Sequence, residues 1–414
     1  MPPEEIVIDV ADKTCACCGG LKHRIGEDLS ERLDIIPAQF KVIVTRRPKY
    51  ACQACAGEVV QAPAPERLIE SGIPTEATVA QVLVSKYADH LPLYRQAQIY
   101  ARQGVNLDRS TLADWVGRAA FLLRPVHERL LDRLKASTKL FADETTAPVL
   151  DPGRGRTKTG QLWAYVRDDR TWGGADPPGV AYVYAPDRKA ERPIAHLAGF
   201  RGVLQVDGYG AYKVLAGRGE VRLAFCWSHV RRPFYELAQS GPAPIASEAL
   251  TRIAALYRIE DDIRGRSAEE RQAVRQERSR PLVEALQPWL REKLSLISQK
   301  TKLAEAIRYA VSRWAGLCLF LEDGRVEIDN NAVERTIRPL ALNRKNALFA
   351  GSDGGAEHWA VIASLIETCK LLGVEPHTYL AEIITRIVNG HPQSRLDDPL
   401  PWAYPTMPQL KAVA

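Results

Sequence analysis

The sequence Lys-Leu-Phe-Ala-Asp at residues 139–143 is a short apolar run that ends in a carboxylate, and Val-Leu-Gln-Val-Asp at residues 203–207 repeats the pattern. Short runs rich in β-branched and aromatic residues predict strands. Similar runs lie around these two, and the predicted strands are Thr138–Ala142, Gln161–Val166, Val180–Tyr184, Val203–Val206 and Val221–Phe225. Helical patterns separate or follow the later strands, at Lys189–Leu197, Tyr209–Leu215 and His229–Leu237.

The order of these elements is three strands followed by alternating helices and strands. It predicts an α/β fold in which three antiparallel strands form a meander and the later units extend the sheet in parallel. This is the order of a ribonuclease-H-like nucleotidyl-transfer core. Residues 240–320 carry apolar residues at helical spacing, including Ile253, Leu256 and Ile259, so we expect an all-helical insertion that interrupts the core.

Acidic residues follow two of the predicted strands and begin a later segment. Asp143 and Asp207 follow strands expected to be neighbours, and Glu334 begins a short helix that Pro339 is expected to end or kink after about two turns. Three acids that converge in a partly buried cleft need compensating cations, which two hard divalent ions held by oxygen ligands supply. Such ions activate an attacking water or hydroxyl and stabilise the leaving oxygen in phosphoryl transfer.

Each acid also has a purely structural interpretation. Asp143 and Asp207 could cap turns, because Asp207-Gly208 is itself a turn signal. Glu334 stands three residues after Asn331 and could complete a capping box. The strand order and the positions of the acids are independent observations, and together they favour the catalytic interpretation.

Basic side chains cluster around Glu334 and follow the last predicted strand. Arg335 and Arg338 are three positions apart, so they share a helix face that can contact phosphate oxygens; the alternative is a solvated surface in which Glu334 pairs with Arg338. Residues 226–229 read Cys-Trp-Ser-His, which we interpret as a packed cysteine and a hydrogen-bonded histidine, because no second half of a metal site is evident. The predicted DNA-binding residues are Arg335, Arg338, Arg344, Lys345, Arg231 and Arg232.

Two Cys-x-x-Cys pairs near the amino terminus predict a zinc ion, since each pair supplies two thiolates from one tight turn. Cys17 leaves the first pair ambiguous, and reduced cysteines without a metal are the alternative. Residues 40–44 alternate apolar and polar side chains, which would suit the β-hairpins of a zinc-ribbon-like module. The predicted zinc ligands are Cys15, Cys18, Cys52 and Cys55.

Residues 75–137 have a helical pattern. Helices are predicted at Leu93–Gln103 and Ser110–Leu134, with Ser110 as N-cap and a turn at Gly104–Asp108 between them. This arrangement is compatible with a helix-turn-helix whose second helix enters a major groove, but helical bundles share the pattern. From this region alone, DNA binding and a structural role both stay open.

Composition excludes several classes of protein. The 414 residues carry 56 Lys+Arg and 50 Asp+Glu, a net charge of +6 that suits an anionic partner. The sequence contains no apolar run of the roughly 18 residues that a membrane span needs. The cysteines do not form the dense framework of a small exported domain, so we expect a reduced, cytoplasmic protein without a membrane partner.

The chain resembles the bacterial transposases of the insertion-sequence-66 family through nearly its whole length. Besides the cysteines, the resemblance is carried by Gly26–Leu33, Arg46–Tyr50, Ala142–Thr145, Pro186–Lys189, Asp207–Tyr209, Cys226–His229 and Asp329–Pro339. It implies an acid-triad transposase with Asp143, Asp207 and Glu334 as catalytic residues that hold Mg²⁺ or Mn²⁺, and a Zn²⁺ site at the cysteines. The implied partners are the inverted repeats of the element and target DNA, bound by a homo-oligomer.

Family members generally begin with a leucine-rich helical segment before the cysteines, whereas Cys15 is the first cysteine here. If that segment serves oligomerisation or end recognition, a shortened copy is expected to be impaired. Two other functions stay open, a non-catalytic DNA-binding regulator and a metal-dependent nuclease that does not join strands.

The sequence therefore predicts six segments. They are a zinc-ribbon-like module (1–62), a helical DNA-binding region (75–137), the first part of the catalytic core (138–239), the helical insertion (240–320), the last part of the core with Glu334 (321–372) and a C-terminal helical tail (373–414).

Overall fold

The computed structural model describes residues 5–30, 38–53, 58–70, 72–217 and 219–406. The chain divides into two compact units, Met1–Thr45 and Arg46–Ala414. Within the described residues, no helix is long and apolar enough to cross a membrane.

The first unit contains a tight turn that carries cysteines. Thr14 and Leu21 form an antiparallel bridge, and inside it the N–H of Cys15 donates to the carbonyl of Gly20 at 2.8 Å. The N–H of Gly19 donates back to the carbonyl of Cys15 at 2.9 Å, and its φ of 70° is one that glycine adopts without strain. The turn therefore holds the side chains of residues 15–18 close together.

The strand expected from the alternating pattern at residues 40–44 is absent, because the described residues 38–48 contain no strand. Val42 and Val44 are 90% and 72% exposed, so the apolar side chains of this pattern do not pack in an apolar layer. Two short antiparallel strands lie instead in the second unit, β1 (Lys49–Tyr50) and β2 (Val60–Gln61).

A five-stranded mixed sheet forms the centre of the second unit, and all five predicted strands are present in it. The strands are β3 (Lys139–Asp151), β4 (Arg156–Arg167), β5 (Gly179–Ala185), β6 (Gly202–Val206) and β7 (Val221–Phe225). Their order is β5-β4-β3-β6-β7; the pairs β5-β4 and β4-β3 are antiparallel, and β3-β6 and β6-β7 are parallel. The expected meander with parallel extensions is therefore confirmed as a mixed α/β architecture.

Helices surround the sheet and make up the rest of the unit. They are α1 (Glu76–Tyr87), α2 (Leu93–Arg102), α3 (Arg109–Lys135), α4 (Glu191–His196), α5 (Gly210–Ala216), α6 (Trp227–Gln239), α7 (Pro244–Asp262), α8 (Ala268–Val274), α9 (Arg280–Ser295), α10 (Lys302–Val311), α11 (Trp314–Leu317), α12 (Leu319–Glu322), α13 (Asn331–Ala347), α14 (Asp353–Leu372) and α15 (Pro376–Val388). A π-helical turn, Arg275–Ser279, joins α8 to α9, and single 3₁₀ turns lie at Arg170–Trp172, Gln393–Arg395 and Pro401–Ala403.

Two helix boundaries differ from the sequence prediction. Ser110 is not the N-cap of α3, because Asp108 occupies that position and the helix begins at Arg109. Pro339 does not end α13, which continues to Ala347. Proline removes one backbone N–H from the helix, and the carbonyl it leaves unpaired belongs to the exposed residue Arg335, where water can bind it.

Helix α14 covers the open edge of the sheet at β5. The N–H of Tyr182 donates to the hydroxyl of Ser364 at 2.8 Å, and that of Val180 donates to the hydroxyl of Thr368 at 3.1 Å. Ser364 and Thr368 are four residues apart and so lie on one face of α14. The helix thereby satisfies edge groups that would otherwise be open to another strand.

Candidate active site

Asp143 and Asp207 lie beside each other where the parallel ladder of β3 and β6 ends. The last partners in this ladder are Phe141 and Gln205, and each aspartate comes two residues later in its own strand direction. The prediction that both acids follow a strand is right for Asp207 and wrong for Asp143. Asp143 lies inside β3, which continues because β4 still pairs with it through Asp151. The pairing of β3 with β6 ends at Phe141, so Asp143 has a strand partner only on the β4 side.

The pKa of Asp143 shows that other acids surround it. Burial raises this pKa most, and the neighbouring carboxylates of Asp207, Glu144 and Glu334 raise it further, to about 8. The N–H of Glu144 donates to Oδ1 of Asp143 at 2.8 Å and opposes part of the shift. These contributions show that the three predicted acids interact electrostatically, although their carboxylate oxygens do not all lie within 4.8 Å of one another.

Asn330 holds the helix that carries Glu334 against the sheet. Its buried side chain donates from Nδ2 to the carbonyl of Ala142 at 3.1 Å, and its N–H donates to Sγ of Cys226 at 3.2 Å. Glu334 lies in the first turn of α13, and its N–H bonds to the carbonyl of Asn330 at 3.2 Å. The strand residue before Asp143 is therefore tied directly to the start of the helix that bears Glu334.

Glu334 does not complete a capping box. The N-cap of α13 is Asn330, which makes no side-chain cap hydrogen bond. Oε1 of Glu334 is buried and finds no hydrogen-bond partner among the residues that the structure describes. Nδ1 of His229 lies 3.7 Å from this oxygen. A carboxylate held in this way is available to a ligand.

The turn that carries Asp207 is held from outside by α10 and the residues after it. The hydroxyl of Tyr309 donates to the carbonyl of Asp207, and Nη2 of Arg313 donates to the carbonyl of Gly208 at 3.2 Å. Gly208 has a φ of 107°, and a Cβ there would lie 2.5 Å from Nε of Arg313. Both the conformation and the close contact require glycine at this position.

The cysteine turn of the first unit brings three sulfurs together. The Sγ atoms of Cys15, Cys17 and Cys18 lie within 4.8 Å of one another, and those of Cys15 and Cys17 are 3.0 Å apart. The hydrogen bond with Cys17 contributes most to lowering the pKa of Cys15, to about 6. Cys52 is exposed and belongs to the second unit, and Cys55 lies outside the described residues. The predicted set of four zinc ligands therefore stays a prediction, whereas the thiolate-favouring turn fits a zinc ion.

Three family models match the chain. The transposase IS66 family matches residues 71–358, the zinc-finger binding domain of transposase IS66 matches residues 12–56, and the IS66 C-terminal element matches residues 364–402. The chain belongs to the IS66 transposase family. The resemblance noted in the sequence is thereby confirmed, and membership supports a transposase role with a zinc-finger domain at the amino terminus.

Long relatives of this IS66 family member occur in Sinorhizobium fredii. The uncharacterized protein y4qI is 50% identical over 94% of this chain and 74% of its own length. The uncharacterized protein y4jD is 47% identical over 97% of this chain and 80% of its own length, and y4hP is 41% identical over 97% and 75%.

The basic residues predicted to contact DNA in this IS66 family member differ in their solvent exposure and in their hydrogen bonds within the protein. Arg335, Arg338 and Lys345 are exposed on α13. Arg344 donates to the carbonyl and hydroxyl of Thr146, so part of its hydrogen-bonding capacity already supports β3. The other two predicted residues, Arg231 and Arg232, are exposed on α6.

Sequence reasoning missed Glu144, the residue next to Asp143. Its side chain is 1% exposed, forms an ion pair with Arg188 and accepts a hydrogen bond from the hydroxyl of Tyr212 at 3.0 Å. Burial raises the pKa of Glu144, and Arg188 opposes the shift. Arg188 also stacks over the ring of Tyr209 at 3.8 Å. The local pattern gave no signal, because an acid in a polar strand segment is usually solvated.

The three predicted acids of this IS66 family member fit a hard divalent cation. They supply only carboxylate oxygens, the ligand type that Mg²⁺ and Mn²⁺ prefer. The raised pKa of Asp143 and the orphaned Oε1 of Glu334 show a cluster whose negative charge lacks compensation.

Proposed function

We propose that this chain is a DNA transposase that cuts and joins the inverted ends of an insertion sequence by phosphodiester hydrolysis and strand transfer. In this proposal the mixed sheet is a ribonuclease-H-like core interrupted by the helices of residues 240–320. Asp143, Asp207 and Glu334 are the catalytic acids. The observation that supports it best is geometric: Asp143 and Asp207 each lie two residues past the Phe141–Gln205 pair of the β3–β6 ladder, and Asn330 ties the helix that carries Glu334 to Ala142.

The acids would hold Mg²⁺ or Mn²⁺, which activates the attacking oxygen and stabilises the leaving oxygen of a phosphodiester. Asp143 must give up its proton before it can serve as a ligand. Asn330 fixes the position of Glu334 relative to β3, and the Gly208 turn fixes that of Asp207. Water is the nucleophile of the first cut, and the freed 3′-hydroxyl is that of the joining step.

The remaining segments would bind and position DNA. Arg335 and Arg338 lie on the same helix as Glu334, so they can contact phosphates next to the scissile bond. Lys345, Arg231 and Arg232 extend the positive surface. The zinc-ribbon-like module, with Zn²⁺ at its cysteines, and the helices of residues 75–137 would hold the duplex in a homo-oligomer. The proposed location is the cytoplasm, where the element's DNA resides.

A strand-transfer assay with labelled inverted ends and Mg²⁺ tests this function. Asp143→Asn should abolish cutting and joining while DNA affinity stays nearly unchanged, because the substitution removes a metal ligand and adds no bulk. Asp261→Asn is the matched control, since Asp261 is an exposed acid on α7, outside the proposed DNA-binding segments. A variant Asp143→Asn that still joins strands would remove this residue from the mechanism.

The same assay separates the two alternatives. A non-catalytic regulator binds the ends with an affinity that falls steeply with salt, but it produces no metal-dependent nick. A nuclease produces nicks that depend on Asp143 and never yields joined products.

A further inference from the structure

Cys226, His229 and Glu334 form a cluster that the proposed phosphoryl-transfer chemistry does not use as a whole. Each offers one ligand atom, and these three atoms lie within 4.8 Å of one another. Cys226 is the N-cap of α6, His229 lies in the first turn of the same helix, and Glu334 lies in the first turn of α13. Two helix starts therefore converge on one small space.

The polar atoms in this space are left without partners. Nδ1 of His229 and Oε1 of Glu334 are both buried and lack hydrogen-bond partners within the described part of the chain. They face each other at 3.7 Å, which is too long for a hydrogen bond. Oδ1 of Asn330, whose N–H bonds to Sγ of Cys226, is a further buried atom without a partner there. Buried polar atoms in native proteins are rarely orphaned, so such a group points to a missing ligand.

The distance between Nδ1 of His229 and Oε1 of Glu334 fits two ligands of one metal ion better than it fits a hydrogen bond. Two ligand atoms about 2.0–2.1 Å from a tetrahedral zinc ion are roughly 3.4 Å apart. The observed 3.7 Å between Nδ1 and Oε1 needs a contraction of only a few tenths of an ångström. The sulfur of Cys226 completes a set of one sulfur, one nitrogen and one oxygen. Thiolate and imidazole select Zn²⁺ or Co²⁺ over Mg²⁺, which prefers oxygen ligands.

We propose that Cys226, His229 and Glu334 bind one thiophilic divalent ion such as Zn²⁺, at a site that shares Glu334 with the acid cluster. Binding replaces the thiol proton of Cys226, which leaves to solvent, by a sulfur–metal bond. Without the metal, burial raises the pKa of Cys226 to about 12 and keeps the thiol protonated. The three protein ligands leave one position of a tetrahedral ion open to water or to a phosphate oxygen.

The site is tested by titrating the full, reduced and metal-stripped chain with Co²⁺, whose thiolate complexes absorb in the near ultraviolet. The wild type should bind one more Co²⁺ per chain than Cys226→Ser, and the difference spectrum should contain the thiolate band. The amino-terminal cysteines are the same in both proteins, so their contribution cancels. Cys318→Ser is the matched control, because Cys318 is a partly buried cysteine outside the cluster and should behave as wild type.

A second variant keeps the test decisive if Cys226→Ser fails to fold. His229→Gln retains the thiol, replaces a side chain that is 21% exposed, and should weaken Co²⁺ binding at this site about tenfold or more. Folded variants, checked by circular dichroism, that bind Co²⁺ with the stoichiometry and spectrum of Cys318→Ser would overturn the proposal.

One consequence rests on the proposed function. An ion held at this site takes Glu334 away from the acid cluster, so stoichiometric Zn²⁺ should inhibit Mg²⁺-dependent cleavage by the wild type. Absence of any cleavage in Mg²⁺ alone would count against the proposed function, whereas unchanged Co²⁺ spectra would count against this site.

Discussion

The side-chain amide of Asn330 donates a hydrogen bond to the carbonyl oxygen of Ala142 at 3.1 Å. This bond joins the residue before Asp143 to the N-cap of the helix that carries Glu334. The amide is buried completely, so no water can replace it. This short connection between segments that are distant in sequence therefore helps to set the relative position of the two acids.

Asn330→Ala should lower cleavage activity at least tenfold and destabilise the chain by about 1–3 kcal/mol, because the carbonyl of Ala142 is left buried without its donor. Single-turnover cleavage and urea unfolding measure the two effects. Asn346→Ala, at an exposed position of the same helix, is the control and should change neither. Equal activities of the two variants would show that the bond does not position Glu334.

Asp143 should make the stability of the metal-free chain depend on pH. Its folded-state pKa of about 8 lies above the unfolded value of about 3.9, so its contribution to stability is present below the unfolded value and is lost as the pH rises through 8. Asp143→Asn should therefore be more stable than wild type at pH 8.5, by about 1–3 kcal/mol after allowance for partial exposure. Urea unfolding in chelator at pH 5.5 and 8.5 tests this. A gain that does not shrink at the lower pH would contradict it.

Metal binding should release a proton at neutral pH. Asp143 is mostly protonated at pH 7 in the metal-free chain, since its pKa is about 8, and it must ionise to bind Mg²⁺. Calorimetric titrations with Mg²⁺ in two buffers of different ionisation enthalpy should give close to one proton released at pH 7 and close to none at pH 9.5. Binding heats at pH 7 that are independent of the buffer would argue against Asp143 as a ligand.

Arg335 and Arg338 should contribute to DNA affinity through phosphate contacts. Replacing either with alanine should lower the slope of log affinity against log salt by about 1, because one fewer counterion is released. Fluorescence anisotropy over a salt series measures the slope. The control is Arg386→Ala, which removes an exposed arginine paired with Glu382 on α15 and should leave the slope unchanged.

Sequence patterns predicted the sheet well because strand runs are local. Each of the five runs is mostly buried, and its apolar residues indicate that burial directly. The second half of β3 was missed because it lacks an apolar strand pattern. Its polar residues and Pro148 read as a loop, but β4 pairs with them through Asp151, and Ala350 bonds to Pro148 and Leu150 on the other side.

The three acids were proposed from sequence, whereas the residues that hold them in place were not. Asp143, Asp207 and Glu334 stood out by their position after strands or at the start of a helix. Asn330, Tyr309 and Arg313 act through contacts with residues far away in the chain, which no periodicity encodes. Cys226 and His229 were interpreted as ordinary packing because the third ligand, Glu334, lies more than a hundred residues later.

The helices after α6 should depend on a buried ion pair for stability. Arg275 is fully buried in the π-helical turn, and its Nη2 donates to Glu260 at 2.6 Å while Nη1 donates to the carbonyl of Val326 at 2.9 Å. Arg275→Met should cost about 3 kcal/mol, because it removes the close partner of the buried Glu260 and leaves only the longer ion pair with Arg271, at 3.6 Å. Arg278 lies in the same π-helical turn and forms an exposed ion pair with Asp262 of α7. Arg278→Met breaks this pair and should cost less than about 1 kcal/mol. Similar losses in urea unfolding of the two variants would contradict this account.

The contacts of Asn330 with β3 and with Cys226 also bear on the order in which the site forms during protein synthesis. A ribosome completes β3, β6 and the Asp207 turn long before it reaches Tyr309, Arg313 and Asn330, which hold those parts in place. With the roles proposed here, a chain that ends before these residues carries Asp143 and Asp207. It lacks the residues that hold them in place, and it lacks Glu334. Such a fragment would be unable to cut DNA, and this capacity would arise only after Glu334 has been synthesised.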